Sequence, residues 1–224
     1  MIKKGNYFIL FIFFLLASNA GTAQTNPTPP FWNEIQHFKK MDSTLMPPKG
    51  KILMIGSSSF TNWKDVGVYF QGYPMINRGF GGSSLPDLIR YYDDIVTPYK
   101  PRQILIYCGE NDLGPTVTAD TVVERFKALF HIIRKQDKKV KITYISMKPS
   151  PSRASLRDKM MEGNDKIKNW LQTKKHTSFV DVFDKMLLPD GKPMSEIFLK
   201  DSLHMNAKGY VIWQKEIAPH LLKN

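Results

Sequence analysis

The segment Lys51-Ile52-Leu53-Met54-Ile55-Gly56-Ser57-Ser58-Ser59 is a short apolar run that breaks off into a glycine and three serines. An apolar run this short, bounded by turn residues, reads as a buried strand; a helix needs ten or more residues. The pattern recurs. Pro74 to Asn77, Gln103 to Cys108, Val140 to Ser146 and Ser178 to Val182 are further strand-like runs. Between them the spacing turns helical. Leu85 to Ile95 carries apolar residues at Leu85, Leu88, Ile89 and Tyr92 behind Ser84 as N-cap. Thr121 to Gln136 sets Val122, Phe126, Leu129, Phe130 and Ile133 on one face. Ser155 to Lys174 and Asn206 to Leu222 close the series, and Phe31 to Met41 opens it, ahead of the turn Pro47-Pro48-Lys49-Gly50. Strands alternating with helices predict an α/β domain with a mostly parallel, five-stranded sheet covered on both faces. Sheets of that kind bind ligands beyond the carboxyl ends of their strands.

At 224 residues the chain has room for one such domain with a sizeable core. Its composition, 42% hydrophobic and 23% charged, is that of an ordinary globular protein. The first residues read differently. Met1-Ile2-Lys3-Lys4 is a basic start, Tyr7 to Ala17 is almost wholly apolar, and small residues follow to Ala23. That is the layout of a secretory signal peptide. The apolar run, roughly 11 residues, is too short to span a bilayer core of ~30 Å as a helix. The sequence therefore predicts a signal peptide over residues 1–23, with cleavage after Ala23 or Ala20. A linker and N-terminal helix follow over 24–48, then the domain over 49–224. The mature protein is expected to be secreted or periplasmic, with no stable membrane anchor.

The single cysteine, Cys108, allows no internal disulfide and sits in the strand-like run Ile104 to Cys108, where a thiol behaves as a small hydrophobe. The formal charge of +12 is spread along helix-like stretches such as Lys135 to Lys141 and Lys166 to Lys175, with no nucleic-acid motif. It reads as a solvated basic surface, and nucleic acid is not expected as a partner.

Four segments carry chemistry. Ser58 lies just past the first strand, in a turn expected to lead into a short helix. Ser57, Ser58 and Ser59 all suit helix capping, so position alone does not separate a cap from a nucleophile. The Gly-x-Ser-x-Gly elbow is absent, since Phe60 stands at its second glycine. Asp201-x-x-His204 can supply what a serine hydroxyl lacks: a base, and an acceptor to orient that base. Gly82, in the turn Gly79-Phe80-Gly81-Gly82, can offer a backbone N–H to an oxyanion, Asn111 its side-chain amide, and Ser58 its own N–H. The glycine turn is a poor dinucleotide loop, because Ser84 occupies the third glycine position.

Together these segments resemble the SGNH (GDSL-like) hydrolase family, over about Lys51 to Leu222. Gly56-Ser57-Ser58 matches its Gly-Asp-Ser block, Gly82 its second-block glycine, Gly109 to Asp112 its Gly-x-Asn-Asp, and Asp201 with His204 its Asp-x-x-His. The aspartate that precedes the family's nucleophile is Ser57 here. The resemblance implies a flavodoxin-like three-layer sandwich and ester hydrolysis through an acyl-enzyme. It makes Ser58, Asp201 and His204 catalytic, places Ser58, Gly82 and Asn111 in the oxyanion hole, and calls for no metal or cofactor. The branch it resembles includes platelet-activating-factor acetylhydrolase-like and carbohydrate-esterase-like members, which points to short acyl groups on small-molecule or glycan esters. Longer acyl chains, as for a lysophospholipase or thioesterase, and a non-catalytic carbohydrate-binding domain are the alternatives. Trp63 and Trp213 read as packing aromatics before substrate contacts. Arg153, in Pro149-Ser150-Pro151-Ser152-Arg153, reads as a solvated loop cation.

Overall fold

Alternate residues of one strand face opposite sides of a sheet, so strands buried on both sides must be apolar throughout. The computed structural model, which describes Met1 and residues 28–223, has five strands there, and the two central ones, buried from end to end, come closest to this rule. The five are β1 (Ile52–Gly56), β2 (Met75–Asn77), β3 (Gln103–Tyr107), β4 (Lys141–Ile145) and β5 (Thr177–Val180), paired in the order β2-β1-β3-β4-β5. Every pairing is parallel. That is the flavodoxin-like strand order, whose direction reverses between β1 and β3. The predicted leader and most of the linker lie outside the described residues.

Among the described residues, eight α-helices complete the layers: α1 (Trp32–Thr44), α2 (Ser58–Thr61), α3 (Val66–Tyr69), α4 (Leu85–Arg90), α5 (Tyr92–Ile95), α6 (Ala119–Gln136), α7 (Arg157–Gln172) and α8 (Ala207–Ile217). Leu53, Ile55, Ile104 and Ile106 enter one core with Ile35, Leu88, Phe126 and Ile167, from α1, α4, α6 and α7. Ile52, Met54, Leu105 and Tyr107 enter the other, with Phe60 of α2, Val66 of α3 and Trp213 of α8. Adjacent residues of one strand thus serve different cores, which is what makes the molecule three-layered.

Helix ends differ from the sequence reading where local chemistry intervenes. The stretch Leu85 to Ile95 is two helices, because Tyr91 leaves helical geometry (φ −101°, ψ 13°). Its phenol reaches back to the Pro30 carbonyl at 2.5 Å. The last helix stops at Ile217 rather than running to Leu222. The chain tightens there into a 3₁₀ turn over Ala218–His220, whose Pro219 has no N–H to continue the α-helical ladder. Residues 151–156 form a 3₁₀ turn ahead of α7. Asn206 caps α8, its side-chain oxygen accepting the Lys208 N–H at 2.9 Å.

The N-terminal helix is fastened to the domain. Asp42 of α1 accepts from Arg78 Nη2 and from the Tyr99 hydroxyl, each at 2.5 Å, and Arg78 Nε donates to the Tyr99 oxygen at 2.6 Å. Arg78 starts the loop that follows β2, so this cluster also fixes the base of the glycine turn.

Candidate active site

Parallel register brings the strand ends level, and Gly56 pairs with Tyr107. The chain leaves β1 and β3 at the same edge, where the strand order reverses. Gly56 is required there: a Cβ would lie 1.9 Å from the Tyr107 carbonyl oxygen, and φ is +145°. With β1 and β3 so close, Ser57 N–H donates to that same carbonyl at 3.0 Å. Ser58 then opens α2, half-buried, and Ser57 occupies the N-cap position without a side-chain capping hydrogen bond.

Asp201 and His204 lie between the 3₁₀ segment Ser195–Ile197 and α8. A single carboxylate organises their turn. Asp201 Oδ1 accepts the backbone N–H groups of Leu203 and His204, each at 3.0 Å. Oδ2 lies 2.6 Å from His204 Nδ1. Ser202 at the tip takes a left-handed φ of +56°. The imidazole hydrogen bond, reinforced by the two backbone N–H groups, holds the Asp201 carboxyl well below the usual carboxylate range. It therefore stays ionised in mild acid and can only accept, so Nδ1 carries the proton. Nε2 is left as an acceptor, 3.0 Å from Ser58 Oγ. A hydroxyl aimed at an imidazole that is itself held by a carboxylate can act as a nucleophile.

The glycine turn closes over this edge. Phe80 N–H donates to the Gly56 carbonyl at 2.9 Å, and a Cβ on Gly81 would sit 4.0 Å from the Ser58 Cβ. Gly82 has φ +80°, the left-handed region that favours glycine. The ring of Phe31 stands 3.8 Å from where its Cβ would be. Asn111 Nδ2 donates one N–H to the Ser83 carbonyl at 3.0 Å. Asp112 accepts from the Leu85 backbone N–H at 3.0 Å and from Arg125 at 2.9 Å. Burial, the largest influence, pushes the Asp112 carboxyl up, and those donors oppose it. The loops carrying Gly82 and Asn111 are thus tied at two successive points.

These contacts bring Ser58, Asp201 and His204 into one chain of hydrogen bonds, and set the Gly82 and Asn111 loops together beside Ser58. Within this constellation a family assignment can be tested, and the family model for the GDSL-like lipase/acylhydrolase family matches residues 56–212. The chain belongs to that family.

Solved structures share the fold. A GDSL-like lipase from Bacteroides thetaiotaomicron superposes with a TM-score of 0.71 at 18% identity, over 83% of this chain and 96% of that one. A provisionally named acylhydrolase from Bacteroides fragilis gives 0.73 at 19%, over 84% and 96%. A mutant of an acetyl-xylooligosaccharide esterase from Geobacillus stearmophilus gives 0.58 at 18%, over 77% and 94%. No curated protein matches in sequence.

The aromatics and Cys108 sit in the core. Trp63 and Trp213 are fully buried; Trp63 stacks on Tyr210 at 4.7 Å, and Trp213 Nε1 donates to Met186 Sδ at 3.3 Å. Cys108 is buried, and burial pushes its thiol well up. Arg153 corrects the sequence reading: it is half-buried, donating to Asn111 Oδ1 at 2.7 Å and to the Glu110 carbonyl. Sequence reasoning also missed the pair beneath it. Lys148, 1% exposed, donates to the buried Glu110 carboxylate at 3.1 Å, and Tyr107 donates to the same carboxylate. The signal available was a lysine three residues past a buried strand, beside a glutamate inside a glycine block.

Proposed function

We propose that this ester hydrolase is an exported serine esterase that removes short acyl groups, acetyl above all, from small-molecule or glycan esters. The observation that carries the reading is the continuous line Asp201 Oδ2, His204 Nδ1, His204 Nε2, Ser58 Oγ, with links of 2.6 and 3.0 Å. His204 Nε2 takes the hydroxyl proton as Ser58 Oγ bonds to the acyl carbon. The carbonyl oxygen gains negative charge, which the N–H groups of Ser58 and Gly82 and the Asn111 amide receive. Collapse breaks the bond to the alcohol oxygen, and His204 returns its proton to that leaving group. Water then repeats the sequence on the acyl-enzyme, with His204 as base, and frees the acid and Ser58.

Preference for short acyl groups is supported by the Phe31 ring beside Gly82, backed edge-on by Phe80 at 5.3 Å. The esterase of acetyl-xylooligosaccharides that shares the fold favours the same substrate class. Export is proposed from the leader-like start, Met1 to Ala23.

The test is initial rates of the mature protein and of Ser58→Ala on p-nitrophenyl acetate, butyrate and octanoate. Acetate turnover that exceeds octanoate turnover and disappears in the variant is the expected result. Octanoate as the best substrate would overturn the acyl preference. A folded variant with undiminished turnover would overturn the nucleophile.

A further inference from the structure

Asn111 meets a problem that its neighbours must solve. An asparagine amide has one acceptor and one donor end of nearly equal size, and only the donor end can stabilise an oxyanion. A half-turn about its last side-chain bond would present Oδ1 to the developing negative charge and repel it. The Ser83 carbonyl selects the donor end on one side. A single neutral hydrogen bond is a weak lock.

The second lock is Arg153. Its Nη2 donates to Asn111 Oδ1 at 2.7 Å, and its Nη1 donates to the backbone carbonyl of Glu110, the preceding residue. The two prongs of one planar guanidinium thus grip adjacent groups of the same loop, a geometry that an ammonium cannot reproduce. The cation has a second consequence. Drawing electron density toward Oδ1 polarises the amide and makes Nδ2–H a stronger donor.

The grip is itself braced from both sides. Behind it, the Glu110 carboxylate is fixed by the buried Lys148 and by Tyr107, so the loop that Arg153 holds does not shift. At the start of the same 3₁₀ turn, Ser152 N–H donates to the Ser202 carbonyl at 3.1 Å, inside the Asp201–His204 turn. Residues 152 and 153 therefore touch both the oxyanion side and the acid–base side.

We propose that Arg153 is a positioning residue of the hydrolase, holding the Asn111 amide donor-inward and charging it for the transition state. The inference rests on the proposed oxyanion role of Asn111. Because Asn111 would act on the oxyanion and not on the ground-state ester, loss of Arg153 falls on kcat.

The experiment measures kcat and KM on p-nitrophenyl acetate for wild type, Ser58→Ala, Asn111→Ala, Arg153→Ala, Arg153→Lys and the Asn111→Ala/Arg153→Ala pair, with thermal melts for each. Arg153→Ala is expected to lower kcat about 10- to 100-fold with KM little changed, as a small misplacement of a catalytic group does. Arg153→Lys should fall between it and wild type. Millimolar guanidinium should restore part of the Arg153→Ala rate and none of the Asn111→Ala rate. In the Asn111→Ala background the arginine substitution should cost nothing further, whereas a purely structural arginine would cost the same factor in both backgrounds. Equal factors in both backgrounds, a loss confined to KM, or a folded Arg153→Lys at full rate would overturn the proposal. Failure of the underlying reading looks different: Ser58→Ala or Asn111→Ala would then keep the wild-type rate. Should Arg153→Ala not fold, the lysine variant carries the same comparison alone and in the Asn111→Ala background.

Discussion

The two halves of the proposed site, one for acid–base chemistry and one for the oxyanion, are assembled in opposite ways. The acid–base half is nearly self-contained: Asp201 and His204 are three positions apart, and one carboxylate holds both the turn and the imidazole. The oxyanion half is a composite. Asn111 depends on Ser83, 28 positions away, and on Arg153, 42 away, and its loop rests on a buried lysine. A locally closed unit can be recognised by spacing and tolerates change around it. A composite is recognised only in three dimensions, and substitutions that never touch substrate can damage it.

The largest expected effect comes from the acid–base half. Ser58→Ala or His204→Ala should cost about 10⁴-fold or more in kcat while the melting curve stays put. Asp201→Asn should cost less, since its two backbone bonds can survive in part. Steady-state kinetics on p-nitrophenyl acetate checks the order, and equal losses in all three would refute the ranking. The carboxylate is held below its ordinary range, so its contribution to stability is present above the unfolded carboxylate value and disappears only as pH falls through its own depressed one. Melts of wild type and Asp201→Asn should therefore differ at pH 5 as much as at pH 7.

Next comes the oxyanion half. Asn111→Ala should lower kcat about 10²- to 10³-fold, with little change in KM. If the loss sat in KM, Asn111 would be binding ground-state ester, and the contrast between the halves would shift from chemistry to recognition.

Asp112→Ala sharpens the comparison in stability rather than rate. Its side chain is inaccessible and satisfies Leu85 N–H and Arg125. Loss of charged hydrogen bonds of this kind costs about 1.5–3 kcal/mol. Calorimetry should show that loss, together with a fall in rate larger than for a surface substitution, because both donor loops are loosened. A stability loss with unchanged rate would mean that the Ser83–Asn111 contact alone sets the hole.

The smallest effect is an expected non-event. Cys108 leads into the Asn111 loop, yet its thiol is buried and pushed well up, so it stays protonated in mildly alkaline buffer. Iodoacetamide at pH 8 should leave it unmodified in the native protein and label it fully in denaturant, with mass spectrometry as the readout. Rapid native labelling would show that the oxyanion half opens to solvent.

Legibility in the sequence follows the same division. The strands were readable because each is a brief apolar run between turn residues, and all five appear within a residue or two of their expected bounds. The break at Tyr91 was not readable, since it accompanies a bond to Pro30 that no local pattern encodes. Trp63 and Trp213 were readable as packing residues, because large aromatics bury much apolar area and dominate cores. Arg153 was misread as solvated for a plain reason. A cation in a Pro/Ser loop carries no sign of its partners, which lie beyond β3 on another segment of the chain.

What the sequence determined by itself was periodicity and short-range chemistry. It set strands alternating with helices, the Gly56 step, the Asx-like turn that brings Asp201 to His204, and the four blocks that resemble one hydrolase family. These follow from interactions among residues close in the chain, whose geometry the backbone nearly dictates. Tertiary structure alone decided that Ser58 meets His204 across 146 positions, that Lys148 is buried on Glu110, and that Arg153 grips Asn111. Whether a charge lies in water or against a carbonyl depends on what the rest of the fold sets beside it, and that neighbour is supplied by packing.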